Sequence, residues 1–203
     1  MRIVSGKLRG RNIATPSGRS TRPTSDQTRE SVFNILKHAE WAPPLDGAIV
    51  ADIFAGSGAL GLEAISRGAD FCLFVETEPK ARKAIRDNIE KMRISEDTRL
   101  HRYDATKLKI APGNLRGKFT HIFMDPPYNK GLWKPVLSRL KQQDLLAEDG
   151  VIILEVSAEA EIEPRGFEIL ADKTWGAARV LFLRVGYNPK LSGCEIGFPK
   201  ISN

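Results

Sequence analysis

The chain has 203 residues, of which 41% are hydrophobic and 28% charged, which suits one globular domain with a full-sized core. No run of about 18 apolar residues is present to span a bilayer, which argues against a membrane protein. The formal net charge is +6, and residues 1–25 contain six Arg or Lys and no Asp or Glu. A solvated, flexible arm would have this composition, but it is also typical of a segment that binds a polyanion, and we favour nucleic acid.

Targeting signals, disulfides and metal sites are not predicted. The N-terminal sequence MRIVSGKLRGRNIA lacks the apolar stretch of a secretory signal, so we expect a cytoplasmic protein. Cys72 lies in an apolar run and Cys194 in the tail, which does not suggest a disulfide framework. His38, His101 and His121 are too scattered to predict a metal centre.

The N-terminal part reads as a basic arm followed by one helix. Residues 2–14 mix β-formers with Gly and Arg, which predicts a short hairpin or an extended arm. A turn-rich linker follows. In the next segment, SDQTRESVFNILKHAEW, the apolar residues Val32, Phe33, Ile35 and Leu36 share one helical face.

The rest of the chain alternates between two kinds of segment. Apolar, strand-like runs occupy residues 48–54, 71–76, 98–103, 121–124 and 151–156. Helical segments cover roughly 59–67, 79–92 and 132–146. This alternation predicts an α/β fold with a parallel sheet. Residues 167–187 read as a hairpin, which would make one strand antiparallel.

These patterns divide the chain into three parts. We expect residues 1–40 to form a substrate-binding arm and helix, residues 41–187 the main domain, and residues 188–203 a tail without periodicity.

Four predicted strands end on an acid. These acids are Asp52, Glu76, Asp104 and Asp125. A single acid after a strand is usually a turn former or a helix cap. In an open parallel sheet, however, ligands bind outside the carboxyl ends of the strands, so four acids in series predict one pocket.

A glycine-rich loop follows the first strand. GSGALG, from Gly56 to Gly61, has the G-x-G-x-x-G spacing, and Glu76 follows Gly56 by 20 residues, where it could accept hydrogen bonds from a ribose. Taken alone, this spacing also permits a nicotinamide-dependent oxidoreductase.

The acids near this loop help to choose the cofactor. A carboxylate at Asp52 would repel a pyrophosphate but would suit a ligand that carries an ammonium and a sulfonium, which points to S-adenosylmethionine. Asp104 with Ala105 would then lie at the adenine edge, where the acid would accept from the exocyclic amine.

The motif DPPY follows the fourth strand. The two prolines stiffen the corner and leave it rich in carbonyl acceptors. If the Asp125 carboxylate and the Pro126 carbonyl each accept one hydrogen of an exocyclic NH₂, the nitrogen can direct its lone pair at the sulfonium methyl. Tyr128 would stack on the extruded base, while Pro127 helps to hold the corner rigid. A proline-stiffened turn with a surface tyrosine is the alternative.

These motifs resemble those of class I S-adenosylmethionine-dependent methyltransferases. The combination of RIVSGKLRGRNI, TRPTSDQTRESVFNIL, DIFAGSGALGLEAISRGA and DPPYNKGL more narrowly resembles the RsmD family, bacterial methyltransferases of guanine N2 in small-subunit (16S) ribosomal RNA. The resemblance covers roughly residues 2–187 and implies a Rossmann-like, seven-stranded sheet whose C-terminal hairpin provides one antiparallel strand.

The resemblance also implies roles for individual residues. The cofactor-binding residues would be Asp52, Phe54, Gly56, Ser57, Gly58, Glu76, Asp104 and Ala105. The residues from Asp125 to Tyr128 would hold the target guanine. The RNA-binding residues would be Arg2, Lys7, Arg9, Arg11, Arg22, Thr24 and Arg29, with Arg22 and Thr24 near the cofactor or substrate. The arm would position the RNA while the pocket selects the base.

Three alternatives stay open at this point. The same corner could accept adenine N6 or a glutamine amide, the loop could bind NAD, or the chain could be a nonenzymatic RNA-binding module. The partner we expect is ribosomal RNA or an assembling small subunit, bound by a monomer.

Overall fold

The computed structural model describes residues 1–16, 26–109, 116–127 and 131–186. The helices are α1 (Asp26–His38), α2 (Ala59–Ser66), α3 (Pro79–Met92) and α4 (Trp133–Gln142), with a 3₁₀ turn at Ala105–Lys107. The strands are β1 (Ile49–Ile53), β2 (Phe71–Val75), β3 (Thr98–His101), β4 (Phe119–Met124), β5 (Leu146–Ser157), β6 (Phe167–Trp175) and β7 (Ala178–Val185).

The strands form one seven-stranded sheet in the order β3-β2-β1-β4-β5-β7-β6. Strands β1 to β5 pair in parallel, and β7 runs antiparallel to both β5 and β6. This confirms the predicted mostly parallel sheet with one antiparallel strand from a C-terminal hairpin. The order reverses between β1 and β4, and such a switch point is where open α/β sheets bind ligands.

The central strands are mostly apolar and buried on both faces of the sheet. All five residues of β2 are buried, as are the last four of β1. Side chains alternate across a strand, so Phe74 joins the core cluster on one face while Leu73 joins the cluster on the other. Helix α1 buries Val32, Phe33 and Leu36 in the same cluster as Phe74, in agreement with the predicted stripe.

The boundary between α4 and β5 differs from the sequence prediction. The helix ends at Gln142 rather than near residue 146, because Asp144 adopts a left-handed conformation with φ of 50°. The Leu145 carbonyl then accepts the Phe119 amide at 2.8 Å, and Leu146 begins β5. Strand β5 therefore begins five residues earlier than predicted, because pairing with β4 extends it through a polar segment that does not look like a strand in the sequence.

Candidate active site

The ends of the central strands lie side by side at the switch point. The Asp125 amide lies 3.4 Å from the Ile53 carbonyl, and the Glu76 amide donates to the His101 carbonyl at 3.1 Å. Neighbouring strands lie about 4.8 Å apart, so Glu76 and Asp125, separated by β1, start about 10 Å from each other. The glycine loop after β1 and the proline corner after β4 are therefore immediate neighbours.

The glycine loop turns tightly from β1 into α2. Phe54, half-buried, has φ of 65°, a conformation that costs free energy for a residue with a side chain. Gly58, with φ of 79°, is the last residue before α2. At Gly61, a Cβ atom would lie 2.5 Å from Cys72 Sγ, so glycine is required for α2 to approach β2 this closely.

Asp52 is buried beneath the loop. Its side chain accepts the Gly61 amide at 2.9 Å, and the residue is only 2% exposed. Burial raises the pKa of Asp52 to about 7, and the nearby Glu76 charge adds to this effect while the Gly61 hydrogen bond opposes it. A buried carboxyl group in this state favours a cationic ligand, because a positive charge beside it would stabilise the ionised form.

Glu76 holds the loop from the end of β2. Its Oε2 accepts the Gly56 amide and its Oε1 accepts the Glu78 amide, both at 2.8 Å. The carboxylate thus shapes the loop, in addition to the ribose contact that the sequence predicts.

Asp104 differs from the other acids because it is exposed. Its Oδ1 accepts both the Thr106 amide at 2.9 Å and the Thr106 hydroxyl at 2.7 Å. These bonds lower the pKa of Asp104 and keep it ionised. Ala105 is buried at the start of the 3₁₀ turn, next to this fixed carboxylate. The pair lies after β3, on the same side of the switch point as Glu76.

The proline corner borders a cavity. Asp125 is half-buried, Pro126 buried and Pro127 exposed. A cavity of about 350 Å³ is lined by Pro126, Pro127, Trp133, Lys134, Ser157 and Glu159, among others. This volume is within the range of small-ligand sites. A larger groove of about 1100 Å³ along α4 contains none of the predicted site residues.

The basic arm is a folded hairpin-like segment. An antiparallel bridge joins Arg2 to Asn12, and the Ile3 amide donates to the Arg11 carbonyl at 2.9 Å. Ile3, together with Leu8 and Ile13, is buried in the core. The predicted RNA-contact residues Arg2, Lys7, Arg9 and Arg11 remain exposed. Their contact with RNA stays a prediction.

The structure corrects the expected role of Arg29. This residue is fully buried, donates to the Arg2 carbonyl at 2.6 Å and pairs with Asp26 at 2.9 Å and with Glu63 at 3.6 Å. A guanidinium enclosed in this way does not present itself to RNA phosphates. Arg29 instead fastens the arm to the core.

Sequence reasoning missed three buried polar residues that hold the arm. Glu63 accepts the Val4 and Ser5 amides at 2.8 and 3.0 Å, and Ser66 and Asn88 bind other parts of the arm. The signal was a polar side chain on the buried face of a helix, most clearly the charged Glu63 in the mostly apolar ALGLEAIS.

Some predicted residues lie outside the described part of the chain. These are Tyr128, Arg22 and Thr24, together with the tail 188–203. Within the described ranges, no three or more His, Cys, Asp or Glu side chains come together as a possible metal site. Nor does any helix in those ranges have the length and apolar character needed to cross a membrane.

Comparisons with known proteins agree with this architecture. A Bacillus subtilis (strain 168) protein named "Putative rRNA methyltransferase YlbH" is 37% identical over 162 residues, which covers 80% of this chain and 85% of that protein. An Escherichia coli (strain K12) protein named "Ribosomal RNA small subunit methyltransferase D" is 33% identical, covering 78% and 76%. The structure titled "Putative methyltransferase yhhF from Escherichia coli" superposes with a TM-score of 0.75 at 26% identity, covering 92% of this chain and 98% of the other.

These similarities, with the fold described above, place the chain among the class I methyltransferases. The family model described as "Conserved hypothetical protein 95" matches residues 1–184. The chain therefore belongs to that family, which is the RsmD family that its motifs resemble.

Proposed function

We propose that this protein transfers a methyl group from S-adenosylmethionine to the exocyclic N2 amine of a guanine in small-subunit ribosomal RNA. The observation that carries the proposal is the contact between the two halves of the site: the amide of Asp125, which begins the proline corner, lies 3.4 Å from the carbonyl of Ile53, the last residue of β1 and three positions before Gly56. The names of the relatives in Bacillus subtilis and Escherichia coli support the reaction class and the RNA substrate.

The residues around the glycine loop fit this cofactor. S-adenosylmethionine supplies an electrophilic methyl group on a positively charged sulfur. Asp52 would offer the cation a buried carboxyl group, Glu76 would accept hydrogen bonds from the ribose, and Asp104 would accept from the adenine amine. Three acids at one set of strand ends would repel a pyrophosphate, so the same observations disfavour a nicotinamide cofactor.

The proline corner holds the acceptor nitrogen. The Asp125 carboxylate and the Pro126 carbonyl each accept one N–H of the guanine amine, which frees the nitrogen lone pair for attack. The Asp125 carboxylate stabilises the positive charge that develops on nitrogen and then accepts the departing proton. Tyr128 would stack on the base.

The exposed basic residues of the arm bind the RNA phosphates. Since Arg2, Lys7, Arg9 and Arg11 stand on a folded segment, they bring charge to the substrate at a small ordering cost. We place the protein in the cytoplasm as a monomer that acts on ribosomal RNA or on an assembling small subunit.

The test is tritium transfer from S-adenosylmethionine to immature 30S particles and, separately, to their naked RNA, followed by nucleoside analysis. We expect labelled N2-methylguanosine from at least one of the two substrates. Label on adenine N6 would contradict the choice of base. Micromolar NAD binding without affinity for S-adenosylmethionine, measured by calorimetry, would contradict the reaction class.

A further inference from the structure

Asn88 connects the arm to the glycine loop. It lies on α3, is fully buried, and belongs to neither segment. Its side-chain Oδ1 accepts the Ala14 amide at 2.8 Å, and its Nδ2 donates to the Ala14 carbonyl at 3.0 Å and to the Ser57 carbonyl at 3.2 Å. Both amide hydrogens and the oxygen are therefore used.

The two bonds to Ala14 determine where the third one points. They clamp the backbone of Ala14 as a neighbouring β-strand would, and they fix the plane of the Asn88 amide. With the plane fixed, the remaining N–H is aimed at Ser57. If the arm moved and Ala14 no longer bonded to Asn88, the Asn88 side-chain amide could rotate. The Ser57 carbonyl would then lose an oriented donor.

The loop is sensitive to such a change. Gly56 and Gly58 both have positive φ, at 56° and 79°. A Cβ atom at Gly58 would lie 3.3 Å from Ile85, one turn before Asn88 on α3, so this helix directly supports the loop. Small shifts of Ser57 relative to α3 would therefore alter the surface that faces the cofactor.

Two other anchors of the arm, Glu63 and Ser66, hold it to α2 instead. Ser66 Oγ accepts the Leu8 amide at 2.9 Å and donates to the Ser5 carbonyl at 2.5 Å. Ser66 is buried like Asn88, yet it lies at the far end of α2 from the glycine loop. Ser66 therefore provides a matched control: its side chain binds the arm but lies away from the glycine loop.

We propose that Asn88 is a positioning residue that couples RNA binding by the arm to cofactor binding by the loop, so that each ligand increases the affinity for the other. The inference rests on the function proposed above. A docked arm holds the Asn88 amide in the orientation that supports the loop, and RNA that holds the arm in place stabilises that state. Because coupling between two sites is reciprocal, it can be measured from either ligand.

The experiment uses whichever substrate the enzyme methylates, the immature 30S particle or its naked RNA. It measures the dissociation constant of that unmodified RNA substrate with and without saturating S-adenosylhomocysteine. For the wild type we expect the unreactive product to tighten RNA binding about five- to tenfold. Asn88→Asp keeps the acceptor for Ala14 but loses both donors, so we expect the ratio to fall below about twofold. Ser66→Ala is expected to weaken RNA binding while the ratio stays at the wild-type value.

Three results would overturn the coupling: a wild-type ratio of one, an unchanged ratio in folded Asn88→Asp, or an equal loss of the ratio in Ser66→Ala. Near-UV circular dichroism checks folding, and Asn88→Ser replaces Asn88→Asp if the latter does not fold. Failure of the proposed function would look different, since the wild type would then neither bind S-adenosylhomocysteine nor methylate either substrate.

Discussion

The two sides of the switch point hold their acids in different ways. On the cofactor side, which comprises β1 to β3 with α2 and α3, Asp52 and Glu76 are buried and accept amides of the loop that they shape. On the acceptor side, which comprises β4, β5 and α4, Asp125 is half-buried at a corner that borders a cavity.

This difference indicates what each side must do before its ligand arrives. The cofactor side is organised by its own backbone and retains a carboxyl group at a free-energy cost. The acceptor side has prolines that lack N–H donors, so it recognises donors that the substrate brings. If this is correct, a substitution on one side should leave the affinity for the ligand of the other side largely unchanged when that ligand is measured alone.

The largest effect is expected at Asp125. Asp125→Ala removes the acceptor and the charge that stabilise the developing ammonium, so kcat should fall by about 10³-fold or more. The dissociation constant of S-adenosylhomocysteine should change by less than about twofold, because the cofactor side is intact. Single-turnover transfer and calorimetry measure the two quantities.

Asp125→Asn separates the roles of this side chain. The amide oxygen still accepts one N–H but cannot take up the proton, so we expect activity between those of wild type and the alanine variant. Wild-type turnover in Asp125→Ala would remove the residue from the mechanism.

The second prediction concerns Arg29, which joins the arm to the cofactor side. Arg29→Ala removes one of the two guanidinium partners of the buried Glu63 carboxylate and the bond to the Arg2 carbonyl, while Arg67 stays paired with Glu63 at 2.8 Å. The free energy of unfolding should therefore fall by about 3 kcal/mol, the lower end of the cost of breaking a buried ion pair. Arg11→Ala, an exposed arginine on the same arm, should cost less than about 0.5 kcal/mol. Urea denaturation of the three proteins checks this. A stable Arg29→Ala protein with reduced salt dependence of RNA binding would restore Arg29 as a phosphate contact.

Arg29 also marks where sequence reasoning stops. The alternation of apolar runs was sufficient to predict the sheet. The positions of Asp52, Glu76 and Asp125 at strand ends were sufficient to predict that they lie at one edge of it. A basic residue on a helix, however, can face solvent or a buried acid, and the spacing within α1 does not reveal that Glu63 lies opposite. The start of β5 was hidden for a related reason, since its pairing partner in β4 is distant in sequence.

The third prediction uses the pH dependence of Asp52. Its pKa is raised from 3.8 to about 7, so the folded state holds a proton that the unfolded chain has lost between these values. The free energy of unfolding contributed by this group therefore falls as the pH rises through that window, and the full cost, at most about 4 kcal/mol, is present above pH 7.

Asp52→Asn removes this cost and keeps an oxygen that can accept the Gly61 amide. We expect the variant to be more stable than wild type at pH 8 and equally stable at pH 4, as measured by urea denaturation. Its affinity for S-adenosylmethionine should fall by roughly tenfold, because the ligand cation loses a charge partner. Equal stability at pH 8 would show that Asp52 is not held at a cost, and the contrast between the two sides would fail.

The smallest effects are expected on the exposed face of the arm. Arg9→Gln with Arg11→Gln removes two exposed charges, so stability should hardly change. If each side chain neutralises one phosphate, the slope of log K against log salt should become shallower by about 1.4 to 1.8. Affinity at physiological salt should fall only a few-fold.

Arg165→Gln, at an exposed site paired with Glu163 near β6, is the control and should leave the slope unchanged. An equal change in slope for both variants would mean that RNA responds to the net charge of the protein and not to the arm.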